Sequence, residues 1–118
     1  MRAAIILGIC LAALAAVPAE AATTYPLTLN NCGMDITVPK SPARVVAIKS
    51  TATEMLLSLG LADRIVGIGF QDGPLPDTLA AAGRDLKVLA DKVPSSEVVL
   101  GTEPDFIYGG WESNFAGD

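Results

Sequence analysis

The chain has 118 residues and a formal charge of -5, with 13 acidic against 8 basic side chains and no basic run, which argues against nucleic acid as a partner because phosphate binding needs clustered Lys and Arg. It contains no His, so a Ser-His-Asp or Cys-His site cannot be built from these residues alone, and the commonest zinc ligand is missing. The apolar share of 51% is inflated by the amino terminus, and what remains is enough for one small domain and not for two.

In chain order, Arg2 is followed by an apolar run from Ala3 to Val17 and then by Ala19-Glu20-Ala21, the small-x-small pattern that signal peptidase reads. Residues 1–21 are therefore expected to be a cleaved signal peptide, with 22–118 as the working α/β part, exported to the periplasm, cell surface or medium. As a membrane anchor the same stretch stands at the lower limit of a bilayer span and is dominated by Ala. Cys10 follows Ile9 after too short a leader for lipid attachment. Loss of Arg2 and Glu20 leaves the net charge unchanged. Cys32 is then the single thiol of an exported chain, either paired with a Cys beyond residue 118 or buried as a free thiol.

Tyr25–Leu29 and Asp35–Val38 alternate apolar and polar residues around the turn-forming Asn30-Asn31-Cys32-Gly33, predicting a β-hairpin ahead of the domain proper. Beyond Pro39-Lys40-Ser41-Pro42, Val45-Val46-Ala47-Ile48 has the continuous apolar character of a parallel strand buried on both faces. Thr51-Ala52-Thr53-Glu54 reads as a capping box opening a helix, with Ala52, Met55, Leu56 and Leu59 as its apolar stripe and Gly60 as its stop. A second buried strand is expected at Ile65–Ile68 and a short helix over Asp77–Ala82. A weak strand at Lys87–Leu89, a helix over Ser95–Leu100 and a last strand at Phe106–Tyr108 complete the series. Strands alternating with helices imply an α/β architecture around a parallel sheet.

Ligands of such sheets bind beyond the carboxyl ends of the strands. That rule singles out Lys49-Ser50-Thr51, Gly69-Phe70-Gln71-Asp72 and Gly109-Gly110-Trp111-Glu112. Gly67-Ile68-Gly69-Phe70-Gln71-Asp72-Gly73 departs from a dinucleotide fingerprint, since its third Gly is one place late and Pro74 and Pro76 interrupt the helix it should open. Lys49-Ser50-Thr51 lacks the Gly-rich loop of a P-loop, but a strand end meeting a helix start favours an anion, and Lys49 adds a full charge. A plain helix cap at Thr51 beside a solvated Lys49 accounts for the same residues. Trp111 and Phe70, on strand-end loops, are candidate apolar walls for a ring system.

Taken in order, Pro42-Ala43-Arg44-Val45-Val46, Thr53-Glu54-Met55-Leu56-Leu57-Ser58-Leu59-Gly60, Arg64-Ile65-Val66-Gly67 and the run from Ser96 to Tyr108 through Glu103-Pro104-Asp105 resemble the amino-terminal lobe of the substrate-binding proteins of ABC importers for ferric siderophores, haem and cobalamin. Tyr25-Pro26-Leu27-Thr28, Asn31-Cys32-Gly33, the Lys49–Glu54 stretch and Gly110–Phe115 look most like an actinobacterial branch proposed to import a deazaflavin-coenzyme precursor. The resemblance implies two α/β lobes joined by a rigid helix, of which this sequence holds the first, and a non-enzymatic role with no cofactor. It implies capture of a small-molecule ligand, a metal chelate or organic anion, and the strand-end loops offer Lys49, Ser50, Thr51, Phe70, Gln71, Trp111 and Glu112 as the residues that touch it. It also implies delivery to an ABC transporter permease, with Glu97 as the docking carboxylate and the permease as the link to the membrane. From residue type alone Glu97 is an ordinary first-turn Glu favoured by the helix dipole. The competing expectations are an exported α/β enzyme with catalytic residues beyond residue 118 and a tethered interaction domain without a small ligand.

Overall fold

The computed structural model describes residues 22–115, so the expected signal at 1–21, with Cys10, lies outside the described residues. Strands β1 (Leu27–Asn31) and β2 (Met34–Val38) form an antiparallel hairpin of their own, separate from the main sheet. Asn31 pairs with Met34, which leaves a two-residue turn of Cys32 (φ 51°) and Gly33 (φ 79°), the left-handed pair that matches strand twist. Asn30 and Asn31, expected in the turn, instead lengthen the strand, and Asn30 Nδ2 donates to Asp35 Oδ1 at 2.8 Å. Cys32 is free and exposed at the hairpin tip, which overturns the buried-thiol expectation, because a two-residue turn has no interior in which to hide a side chain.

The main sheet comprises β3 (Val45–Ile48), β4 (Ile65–Gly69), β5 (Val88–Ala90) and β6 (Phe106–Gly109), all parallel in the order β5-β4-β3-β6. The expected α/β fold class is thus the observed one. All four residues of β3 are buried, as the uninterrupted apolar run requires of a central strand. Alternate side chains serve opposite faces. Val45 and Ala47 pack with Ala52 and Leu56 of α1 (Ser50–Ser58) and with Ile68, whereas Val46 and Ile48 pack with Val99 of α3 (Ser96–Leu100). Helix α2 (Asp77–Gly83) lies against α1, and a single 3₁₀ turn at Ala62–Arg64 leads into β4. Burial of each large β3 side chain contributes about 1.5–3 kcal/mol. Among the described residues no helix is long and apolar enough to cross a membrane.

Helix α1 departs from its sequence reading at its start and keeps to it at its end. Lys49, not Thr51, is the residue before the first turn, and no side chain caps it, so the Thr51–Glu54 box does not form. The buried face is Ala52, Thr53, Leu56 and Leu57, while Met55 and Leu59, expected in the stripe, are 51% and 64% exposed. Thr53 is tolerated at 0% exposure because its hydroxyl donates to Lys49 O (3.2 Å) and accepts from Gln71 Nε2 (3.0 Å). At the other end Gly60 (φ 72°) donates to Leu57 O, Leu61 donates to Leu56 O, and Leu61 packs on the same core as Leu56, a Schellman closure with its apolar contact.

A polar clamp fixes how β6 joins β3. The Asp105 carboxylate accepts from Ala43 N (3.0 Å) and Arg44 N (2.8 Å), while Arg44 donates through Nε to Glu103 O (2.8 Å) and through Nη2 to Thr102 O. Asp105 N in turn donates to Arg44 O at 2.9 Å. The Ala43 and then the Arg44 amide hold the Asp105 carboxyl below its ordinary range. A depressed carboxyl contributes stability that is complete above the unfolded-state value and lost as pH falls through the folded one. Asp105→Asn should therefore lower the urea midpoint at pH 7, and the gap to wild type should close on acidification below the ordinary carboxylate range. Unfolding curves at several pH values check this, and a constant gap would assign the clamp to packing alone.

Candidate functional site

The sheet order defines where a site can form. From β3 the chain moves outward through α1, β4, α2 and β5, then returns through α3 to place β6 on the other side of β3. The carboxyl ends of β3 and β6 are thus the switch point, where the connecting segments diverge and leave a crevice. Lys49-Ser50-Thr51 leaves β3 there, Gly110-Trp111-Glu112 leaves β6, and Phe70-Gln71-Asp72 leaves the adjacent β4.

The β3 and β4 ends are bound into one unit. Lys49 N donates to Gly69 O (2.9 Å), Asp72 N donates to Ser50 Oγ (2.7 Å), and the Lys49 ammonium pairs with Asp72 Oδ1 at 3.1 Å. The same ammonium stands 4.1 Å from the centroid of the Phe70 ring. Gln71 turns inward, its Nε2 donating to Gly69 O (3.1 Å) and Thr53 Oγ1 (3.0 Å). Because a carbonyl only accepts, those bonds fix the amide orientation and leave Gln71 Oε1 buried without a partner. On the β6 side, Trp111 is 59% exposed and Glu112 is exposed, both at the start of a single 3₁₀ turn (Glu112–Asn114). The buried Asn114 holds that turn by accepting from Trp111 N (3.2 Å) while its own amide donates to Trp111 O (3.0 Å). Gly110 lets the two sides meet, since a Cβ there would lie 3.2 Å from Thr51 Oγ1.

Of the seven residues expected at the ligand, Lys49, Ser50, Phe70 and Gln71 converge on one side, Thr51 meets the Gly110 backbone, and Trp111 and Glu112 form the other side. Lys49 is not the lone cation that the sequence suggests, because Asp72 answers its charge. A cleft of about 610 Å³ adjoins these ends on the α3 face, with Ile48, Val99 and Ile107 as apolar walls and Phe115 at its margin, a volume typical of small-molecule sites. None of the seven lines it. Sequence reading missed Lys92, whose ammonium lies 5.3 Å from the Phe70 centroid. The weakness of the β5 pattern hid it, since the strand-end rule applied to β5 points to Asp91-Lys92. Among the described residues no group of three or more His, Cys, Asp or Glu side chains could hold a metal ion.

Two of these residues have strained backbones. Lys49 has φ 82° and ψ 152°, a region that is nearly glycine's alone, and Phe70 has φ 53°. Such conformations cost about 1–3 kcal/mol each and gather at ligand sites.

This is the architecture of a periplasmic binding protein lobe, with a parallel sheet presenting strand-end loops to a crevice at its switch point. No family model matches the chain. Its homologues are substrate-binding proteins of ABC transporters, which are not enzymes. One is an uncharacterized ABC transporter substrate-binding lipoprotein of Bacillus subtilis, 26% identical over 84 residues, which are 70% of this chain and 25% of that protein. Among solved structures, a periplasmic binding protein from Veillonella parvula matches with a TM-score of 0.66 and 36% identity over 76% of this chain and 31% of its own. A protein of an ABC-type Fe3+-hydroxamate transport system from Saccharomonospora viridis matches with a TM-score of 0.57 and 28% identity, over 71% of this chain and 32% of its own. The chain spans a quarter of the curated relative and just under a third of the solved ones.

Lys49 offers a direct test of the strain. Replacing a non-glycine residue of a glycine-only conformation by Gly relieves about 1–3 kcal/mol, against about 0.2–1 kcal/mol for an exposed ion pair. Lys49→Gly should unfold at a higher denaturant midpoint than Lys49→Ala, the reverse of the usual order. Equal midpoints would show that the backbone at residue 49 relaxes freely.

Proposed function

We propose that the chain is the amino-terminal, solute-capturing part of the extracytoplasmic binding component of an ABC-type importer. The observation that carries this reading is the switch-point crevice, where strained Lys49 and Phe70 and exposed Trp111 stand on loops of a sheet similar to those of substrate-binding proteins. Backbone strain of this kind gathers at ligand sites, where the surrounding structure holds it in place. The ligand is a metal chelate or an organic anion. It lies across the carboxyl ends of β3 and β6 with Phe70 and Trp111 as flat walls, held between this lobe and a second one.

Ferric hydroxamates fit through the Saccharomonospora relative, and an aromatic ring with an acidic arm, such as a deazaflavin precursor, fits the two aromatic walls. Thr51 and Glu112 complete the rim, while Ser50 and Gln71, engaged by Asp72 N and by Thr53 and Gly69, hold it in shape.

Trp111 is the single Trp, so its fluorescence reports the site directly. Titration of the exported protein with a ferric trihydroxamate and with an acidic deazaflavin should quench it saturably with one of them, and Phe70→Ala should weaken that binding. A signal indifferent to both ligands would remove capture at this crevice.

Glu97, exposed on the first turn of α3 behind the Ser95 cap, is the proposed contact with the permease. An exposed charge of this kind acts on association more than on folding. Glu97→Ala should leave ligand affinity and Tm within error of wild type while uptake by the reconstituted importer falls several-fold. Equal losses in binding and uptake would give Glu97 a different role.

A further inference from the structure

Resting on the capture reading above, we propose that Lys92 is the residue that reads negative charge on the ligand, selecting carboxylate, phosphate or a similar oxyanion at the β4–β5 side of the crevice. Two ammonium groups meet on one aromatic ring, Lys49 Nζ at 4.1 Å from the Phe70 centroid and Lys92 Nζ at 5.3 Å. A ring attracts a cation within about 6 Å of its centroid, but two cations gathered on it repel each other. Asp72 cancels one of them through its 3.1 Å contact with Lys49, and that is the single ion pair among the described residues. Neither Asp91, next in sequence, nor Glu112, across the crevice, pairs with Lys92. The three groups therefore carry one net positive charge, and it resides on Lys92.

The position of that charge is built into the sheet. Gly69 ends β4, and a Cβ there would lie 2.9 Å from Pro94 Cδ and 3.6 Å from Lys92 O. The missing side chain lets the loop between β5 and α3 close over the end of β4, where Pro94 is buried and Phe70 N donates to Ala90 O at 3.1 Å. The Lys92 backbone is thus held beside the ring that its ammonium faces. Phe70, with φ 53°, departs from strand geometry at the point where its ring comes between two lysines from different strand ends. An anion entering here meets the one charge that Asp72 does not cancel and gains a donor that no protein carboxylate occupies. Lys49 and Asp72 supply a fixed, neutral floor.

Inorganic phosphate is the probe, followed by NMR on the isotope-labelled full chain. Saturable shifts are expected at the Lys92, Phe70 and Lys49 signals. Lys92→Gln should weaken phosphate about fivefold, the upper end for an exposed charge pair. Lys92→Arg should retain it, and so should Lys87→Gln, which removes an exposed lysine ahead of β5, at the opposite end of that strand. Equal phosphate affinity in wild type and Lys92→Gln, an equal loss in Lys87→Gln, or shifts that never saturate would each overturn the assignment. Trp111 quenching by the organic ligands keeps the two readings apart. A quench of unchanged affinity for an anionic ligand in Lys92→Gln sinks this inference alone. Saturable phosphate shifts without any Trp111 response sink the capture reading alone.

Discussion

The placement of β6 in the main sheet depends on the Asp105 carboxylate receiving the amides of Ala43 and Arg44, residues 62 and 61 positions away in sequence. Those bonds set β6 against β3 with Val45 opposite Phe106 and Ile48 opposite Gly109. The register carries through the strands to their other ends, where it decides that Lys49 and Gly110 leave the sheet side by side. Arg44 adds bonds to the Thr102 and Glu103 carbonyls, in the turn that follows α3. A carboxylate at one end of the sheet thereby determines the geometry of the crevice at the other.

At that crevice, backbone strain is offset by local bonds. The unusual φ of Lys49 turns its carbonyl to receive both the amide and the hydroxyl of Thr53, and its own amide reaches Gly69 O. Thr53 then holds Gln71, and Ser50 holds Asp72, so the loop after β4 is fastened to the first turn of α1. Gln71 Oε1 is the single buried side-chain polar atom left without a partner among the described residues, at a cost of about 1–3 kcal/mol. Stability is lower at these loops than packing alone would allow, and shape is better defined.

What the sequence made legible follows from which interactions are local. Val45–Ile48 is a continuous apolar run because that strand is buried on both faces, and Ile65–Ile68 and Phe106–Tyr108 carry a similar signature although Phe106 and Ile107 stay exposed on the edge strand. Gly60 could be read as a stop because a left-handed residue after a helix favours glycine. The start of α1 was misread for a long-range reason: the hydroxyl of Thr53 is satisfied by Lys49 and Gln71, which brings Thr53 and Leu57 inward and turns Met55 and Leu59 to solvent. Lys49 and Phe70 gave no sign of positive φ, since neither is a residue type that favours it. Lys92 follows a strand of three residues with a weak apolar pattern, and its place beside Phe70 is set by non-local contacts of the loop after β5 with Gly69. Residue type located the loops, and non-local packing decided which charges in them are answered.

The order of β3 and β6 also has a consequence in time. Val45–Ile48 is the centre of the finished sheet, yet during synthesis it has a neighbour on one side alone until the chain has grown by the 61 residues that separate Arg44 from Asp105. At ~5–20 residues per second, that interval lasts roughly 3–12 s. Through it the most apolar strand of the molecule is a bare edge, open to pairing with any other extended segment. The nascent protein is thus most prone to aggregate just before Asp105 emerges, and the clamp that sets the register also ends that exposure.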